Sequence, residues 1–147
     1  MKIIVDANIV FSGILNSNGK IGDLLINSQK QIEFIAPDFL RVEIRKHHHK
    51  LSKISGLTIE DVRESESQIC KDITFISEEQ IKPSAWISAL DLVNEIDPKD
   101  AHYVAYSKHF KCKIWSSDKV LKKGLEKKGF TNFISTDELY LLRNRGK

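Results

Sequence analysis

Residues 1–10 of the chain, MKIIVDANIV, contain an apolar run that ends in Asp6, and Asn8 follows two positions later. A short run of β-branched residues predicts a buried strand, so Asp6 would lie where that strand meets the sheet edge. A single aspartate after a strand is common, either as a turn residue or as the N-cap of a helix. Whether Asp6 has a chemical role therefore depends on where the other acids of the chain fall.

Similar apolar runs recur along the chain and alternate with segments that have helical spacing. These runs predict strands at KIIV (2–5), EFIA (33–36), ITFI (73–76), CKIW (112–115) and NFIS (132–135). The alternation predicts a doubly wound α/β fold, with a mostly parallel central sheet of about five strands flanked by helices. In such a sheet, ligands bind at the carboxyl ends of the strands.

Helix starts are marked by capping patterns. Thr58 with Asp61 and Ser135 with Glu138 both have an acid three residues after a hydroxyl, which is typical of a capping box. Asp97 is followed by proline, which is typical of an N-cap with proline at the first helical position. We therefore expect a helix to begin near residue 100.

The composition is that of one globular domain. The 147 residues are 41% hydrophobic and 29% charged, and we expect a single domain over residues 1–147. No apolar run approaches the roughly 18 residues of a membrane span and no signal peptide is evident, so we expect a cytoplasmic protein without a membrane partner. The net charge of +3 is too small to indicate nucleic-acid binding by itself.

Four acids fall at or near the edge of the predicted sheet where its strands end. Asp6 and Asp118 follow the first and fourth predicted strands. Asp100 lies near a helix start, and Glu43 lies one turn into the helix after the second strand. Four carboxylates in one place are tolerated chiefly when a cation neutralises them or protonation relieves their repulsion. Because all-oxygen ligands select a hard ion, the pattern predicts a site for Mg²⁺ or Mn²⁺ and not for zinc.

Each acid also has a structural alternative. Asp6 or Asp118 could be a turn residue or an N-cap and nothing more. Glu43 could form an ion pair with a basic residue of its own helix. Asp100 could complement the dipole of the helix that it begins. The sequence favours a site because all of these acids fall where the fold would bring them together.

Four stretches resemble the PIN-domain ribonucleases, especially the bacterial and archaeal PIN-family toxins. They are IIVDANIVFSGIL (3–15), FIAPDFLRVEIRKH (34–47), EIDPKDAHYVAYSKHFKCKIWSSDKVL (95–121) and GFTNFISTDEL (129–139). By this resemblance the family's catalytic and metal-site acids are Asp6, Glu43, Asp100 and Asp118, its polar supporting positions are Asn8 and Ser117, and an additional metal position is Asp97. The resemblance implies a ribonuclease that uses Mg²⁺ or Mn²⁺, with RNA as substrate and an antitoxin protein as partner.

Basic residues lie beside two of the proposed metal ligands. Lys119, Lys122 and Lys123 follow Asp118 directly. Arg45 and Lys46 follow Glu43 in the same way. Such runs are usually solvated helix faces, but their placement here favours contact with RNA phosphates.

Aromatic residues and histidines give weaker signals. Three consecutive helical histidines, His47–His49, point in different directions and cannot converge on one ion, so we expect them on an exposed surface. Trp86 and Trp115 are expected in the core. His102, Tyr103 and Tyr106 are open between helix packing and substrate contact.

Other functions remain open at this stage. A housekeeping RNA-processing PIN nuclease would lack an antitoxin, and a non-catalytic RNA-binding or scaffold protein would not need all of the acids. A phosphotransferase of the haloacid-dehalogenase type needs a second aspartate where this chain has Asn8. A homodimer is also left open.

Overall fold

The computed structural model describes residues 1–93 and 100–145. Its strands are β1 (Lys2–Val5), β2 (Glu33–Pro37), β3 (Ile73–Ile76), β4 (Lys113–Trp115) and β5 (Phe133–Ile134). Its helices are α1 (Ala7–Leu15), α2 (Lys20–Asn27), α3 (Phe39–Lys46), α4 (His48–Ser55), α5 (Ile59–Cys70), α6 (Pro83–Val93), α7 (Ala101–Phe110), α8 (Lys119–Glu126) and α9 (Thr136–Arg145), with a 3₁₀ turn at Glu78–Gln80. Within these residues, no helix is long and apolar enough to cross a membrane.

The strands form a five-stranded sheet in the order β3-β2-β1-β4-β5, and each neighbouring pair is parallel. Ile4 of β1 lies beside Ile35 of β2 and Ile114 of β4. The chain runs from β1 outward to β2 and β3, and then returns to β4 on the other side of β1. The crevice between the carboxyl ends of β1 and β4 is therefore the topological switch point, where ligands bind in folds of this kind. The predicted α/β fold is confirmed.

Helices cover both faces of the sheet, which explains why its strands are continuous apolar runs. Successive side chains of a strand point to opposite faces. Ile3 and Val5 accordingly belong to one buried cluster, together with residues of α1, α2 and α5. Ile4 belongs to a second cluster, together with residues of α6, α7 and α8. Trp115 is fully buried, as predicted from its strand.

Two of the three predicted capping patterns are present in the structure. Ser135 and Glu138 form a reciprocal capping box at α9, since each backbone N–H donates to the other's side chain at 3.1 Å. Thr58 caps α5 by accepting from the Asp61 N–H at 3.1 Å. The N-cap predicted at Asp97 lies outside the described residues, although α7 does begin next to residue 100.

The prediction of an exposed histidine surface is wrong for His48. Its Nε2 lies 2.6 Å from Glu66 Oε1 of α5, and the His48 side chain is only 11% exposed. His47 is half-buried, with Nδ1 2.7 Å from the carbonyl oxygen of Glu43. The contact of His48 joins α4 to α5, and helical spacing alone could not reveal it because His48 and Glu66 are 18 positions apart. His49 is exposed as expected.

Candidate active site at the carboxyl edge of the sheet

A pocket of about 400 Å³ opens beside the ends of β1 and β4. Its polar lining residues are Asp6, Asn8, Glu43, Asp100, Tyr103 and Asp118, and its apolar ones are Ala7, Phe39, Val120 and Leu121. The structure thus brings together the four acids that the sequence singled out, along with Asn8.

Asp6 is both the N-cap of α1 and a wall of the pocket. Its Oδ1 accepts a hydrogen bond from the Ile9 N–H at 3.0 Å, and the residue is only 4% exposed. Burial, with a contribution from the charge of Asp118, raises the pKa of Asp6 to about 6. Hydrogen bonds from the Ser116 hydroxyl and from the Ile9 and Asn8 N–H groups oppose this rise in pKa. At neutral pH the carboxylate is therefore mostly ionised, at an energetic cost that a nearby cation would reduce.

Asp118 has the same arrangement at the start of α8. Its Oδ1 accepts from the Leu121 N–H at 3.0 Å, and its own N–H donates to Ser116 Oγ at 3.0 Å. The hydroxyl that contacts both acids is thus that of Ser116. Ser117, which the family resemblance assigned to this role, is exposed and lines a neighbouring cleft.

Glu43 and Asp100 enter the pocket from helices. Glu43 lies 3.9 Å from Lys46 Nζ, and because the lysine side chain is 65% exposed this pair is weak. Asp100 precedes α7 with helical backbone angles, and within the described residues its side chain makes no capping hydrogen bond to that helix.

The acids suit a hard divalent cation but do not form a ready-made cage. Across residues 1–93 and 100–145, no three His, Cys, Asp or Glu side chains lie close enough together to hold an ion by themselves. Mg²⁺ needs no such cage, because it usually binds through one or two carboxylates and keeps several waters. Asp6 and Asp118 each use Oδ1 for a cap, and a carboxylate has about four lone-pair sites in all. The donor set therefore fits the ion.

A second, polar cleft of about 250 Å³ shares Asp118 with the acidic pocket. It is lined by Ser116, Ser117, Asp118, Lys119, Lys122, Ser135, Thr136 and Asp137. Two of the lysines predicted to bind RNA thus lie next to the acids, whereas Lys123 is exposed and is not among the lining residues. Arg45 and Lys46 are exposed on α3.

Sequence reasoning missed Ser116 and left Tyr103 undecided. Tyr103 follows Asp100 by three residues, and on a helix this spacing places two side chains on the same face. That spacing could have indicated Tyr103. No signal separates Ser116 from its neighbour Ser117, since both follow the same strand.

The parallel sheet and the acids at its switch point define an α/β protein with an acidic active-site-like pocket. The family model that describes the PIN domain matches residues 4–138. The chain therefore belongs to the PIN-domain family, whose domains are in general nucleases.

Solved structures resemble this chain over nearly its whole length. PAE2754 from Pyrobaculum aerophilum has a TM-score of 0.69 at 11% identity, covering 99% of this chain and 90% of that one. VapBC2 from Rickettsia felis, bound to a DNA fragment from its promoter, has a TM-score of 0.63 at 14% identity, covering 92% and 97%. A PilT N-terminus domain protein, SSO1118 from Sulfolobus solfataricus P2, has a TM-score of 0.50 at 12% identity, covering 97% and 93%. Such low identities show a shared fold alone. No curated protein matches the chain.

Proposed function

We propose that the protein is a metal-dependent endoribonuclease that hydrolyses phosphodiester bonds of RNA with Mg²⁺ or Mn²⁺ as cofactor. The observation that carries this proposal is the convergence of Asp6, Glu43, Asp100 and Asp118 on one pocket of a PIN domain. A bound divalent ion would supply Lewis-acid stabilisation of the phosphate and a more acidic attacking water.

We assign metal binding, proton acceptance and substrate binding to different side chains of the pocket. Asp6 and Asp118 would hold the ion, and Asp100 would complete its surroundings. Glu43, which is more exposed than Asp6, would accept the proton of the attacking water. The Asn8 amide would donate a hydrogen bond to the substrate. Asp97 is proposed as an additional ligand from the sequence alone.

The electrostatics of the site support RNA binding beside the acids. A polyanion must reach a negatively charged pocket, and the cleft that contains Lys119 and Lys122 adjoins that pocket at Asp118. Phosphates on either side of the cleaved bond would contact these lysines. Arg45, Lys46 and Lys123 would extend the basic surface.

We further propose that the protein is the toxin of a toxin–antitoxin pair, acting in the cytoplasm and blocked by an antitoxin that covers the acidic pocket. The fold shared with VapBC2 supports this role. A housekeeping PIN nuclease has the same site but no antitoxin, and an adjacent small reading frame is expected for the toxin alone. A non-catalytic scaffold is disfavoured because it would not require four carboxylates in one pocket.

Cleavage of single-stranded RNA by the purified protein tests the activity. We expect cleavage with Mg²⁺ or Mn²⁺, none with EDTA, and none by Asp6→Asn prepared in parallel. Undiminished cleavage in EDTA would contradict the mechanism, provided that Asp6→Asn shows the activity not to be a contaminant. Sequencing RNA ends from cells that express the wild type or Asp6→Asn would identify the target.

A further inference from the structure

Tyr103 has an unusual environment for a buried tyrosine. It is 4% exposed, and its ring packs edge-on against Phe39 with centroids 5.8 Å apart. Its hydroxyl is buried, and among the described residues its proton has no hydrogen-bond acceptor. Buried tyrosine hydroxyls usually have a partner, because leaving one unsatisfied is costly. Phenylalanine would pack as well here without that cost, so packing alone does not explain the hydroxyl.

The surroundings of the hydroxyl are those of the acidic pocket. Tyr103 lines the pocket together with the four acids. The pKa of Tyr103 is raised far above its usual range, mainly by burial and further by the charges of Asp6, Asp100 and Glu43. A hydrogen bond from the Ala7 N–H to the hydroxyl oxygen opposes this rise, and it leaves the hydroxyl proton free to donate. The phenol is therefore neutral, keeps its proton, and can donate it in a hydrogen bond.

Few of the described side chains that line the pocket can donate a hydrogen bond to an anionic substrate. Ionised carboxylates only accept hydrogen bonds, and the remaining lining side chains are apolar apart from Asn8 and Tyr103. A phosphate group has only acceptor oxygens. Within the described lining, Asn8 and Tyr103 are thus the neutral side chains able to donate to it.

We propose that the Tyr103 hydroxyl donates a hydrogen bond to a non-bridging oxygen of the scissile phosphate and stabilises the charge that this oxygen carries during cleavage. The inference rests on the proposed ribonuclease function. The hydroxyl keeps its proton throughout the reaction, so Tyr103 donates a hydrogen bond and transfers no proton. Fixed donors aimed at developing charge act strongly in a water-poor site, and removing one typically lowers kcat by about 100-fold.

The test compares Tyr103→Phe with the wild type and with Tyr106→Phe. Tyr106 is the matched control on the same helix, because its hydroxyl is also buried but donates to the Ile76 carbonyl at 2.6 Å, away from the pocket. Four quantities are measured for each protein: kcat and KM on single-stranded RNA, the Mn²⁺ affinity by titration calorimetry, and the melting temperature in EDTA.

We expect Tyr103→Phe to lose about 100-fold in kcat with little change in KM and to keep the Mn²⁺ affinity of the wild type. Its melting temperature should be at or above that of the wild type, because the variant no longer buries an unsatisfied hydroxyl. Tyr106→Phe should melt at a lower temperature and keep its kcat. If Tyr103→Phe has the kcat of the wild type, the inference about Tyr103 is wrong, but the proposed ribonuclease function stands. The inference is also wrong if Tyr103→Phe has a lower kcat but binds Mn²⁺ correspondingly more weakly or melts at a lower temperature, because the hydroxyl would then act through metal binding or folding. If the wild type cleaves no RNA, the proposed function fails and the inference fails with it.

Discussion

Asp6 and Asp118 each cap the helix that follows one of two neighbouring strands, although Asp6 comes directly after β1 and Asp118 comes two residues later after β4. Each follows a strand of the parallel pair β1 and β4, and each caps the next helix through Oδ1 at 3.0 Å from the backbone N–H three residues later. The cap fixes the carboxylate at the sheet edge, where it also lines the acidic pocket. Capping and pocket lining are therefore combined in the same side chain, and they must be separated by experiment.

The raised pKa of Asp6 predicts how the stability of the metal-free protein depends on pH. The pKa rises from 3.8 to about 6 on folding, so the folded state binds this proton more tightly than the unfolded state. The stabilisation is fully present below the unfolded pKa and is lost as the pH rises through the folded one. Between about pH 4 and 6 the loss should be about 3 kcal/mol.

The neutral isostere Asp6→Asn provides the comparison, because asparagine caps helices as well as aspartate does. Urea unfolding in EDTA should show the variant gaining stability relative to the wild type as the pH rises, with a plateau above about pH 6. A difference that does not change with pH would mean that Asp6 titrates normally. Added Mg²⁺ at neutral pH should stabilise the wild type more than the variant.

The strands and the site acids could be predicted because their signals are local in sequence. A parallel strand covered on both faces is a continuous apolar run, and Asp6 lies directly after such a run. The choice between Ser116 and Ser117 depends on the path of the turn after Trp115, which residue types do not determine. His48 and Arg143 contact carboxylates of other helices, and predicting those contacts requires knowledge of helix packing.

The lysines of α8 should contribute to RNA binding according to their positions. In an Asp100→Asn background that binds without cleaving, the changes Lys119→Gln and Lys122→Gln should each reduce the salt-dependence slope by about 0.7. Lys123→Gln should change it less, since Lys123 does not line the cleft. Fluorescence anisotropy over a range of salt concentrations measures the slope.

The matched control removes the same charge from the far end of the helix. Lys127→Gln with Lys128→Gln alters two exposed lysines that lie at and beyond the end of α8. If this double variant and the Lys119→Gln, Lys122→Gln double variant have equal salt-dependence slopes, only the net charge of the protein affects RNA binding. The two cleft lysines would then be ordinary solvated residues.

Arg143 should be important for stability and not for cleavage. It is 2% exposed, its Nη2 lies 2.8 Å from Asp23 Oδ2, and its Nη1 lies 3.3 Å from Ser28 Oγ. These contacts fasten α9 to α2 and to the residue after it. Arg143→Met removes the charge that faces Asp23, and because Asp23 is 36% exposed the cost should be about 2 kcal/mol, below that of a fully buried pair.

Chemical denaturation of Arg143→Met beside Arg145→Met measures this cost, since Arg145 is an exposed cation of the same helix. Arg145→Met should be nearly neutral. The RNA cleavage rate per folded molecule should equal that of the wild type in both variants. If folded Arg143→Met cleaves RNA more slowly than the wild type, α9 contributes to substrate binding.

A change at Asp100 separates a role in chemistry from stabilisation of the helix dipole of α7. Asp100→Asn is nearly isosteric and removes only the charge, and less repulsion within the acidic pocket should leave the metal-free protein at least as stable as the wild type. We expect it to fold and to be inactive, because its neutral amide neither attracts the cation nor matches a carboxylate as a ligand. Melting temperature and RNA cleavage are measured on the same samples, and wild-type cleavage at saturating Mg²⁺ would exclude Asp100 from the site.

Two variants of Asp97 are needed, because losing its predicted helix cap could reduce cleavage by lowering stability and so be mistaken for a loss of metal binding. Asp97→Ser retains a capping oxygen, whereas Asp97→Ala removes it and should cost about 1 kcal/mol of stability. If Asp97 is only a cap, Asp97→Ser keeps both its melting temperature and its cleavage rate. We propose that the carboxylate is an additional metal ligand. In that case Asp97→Ser keeps its melting temperature in EDTA but requires more Mg²⁺ than the wild type for half-maximal cleavage. Added Mg²⁺ should also stabilise this variant less than it stabilises the wild type.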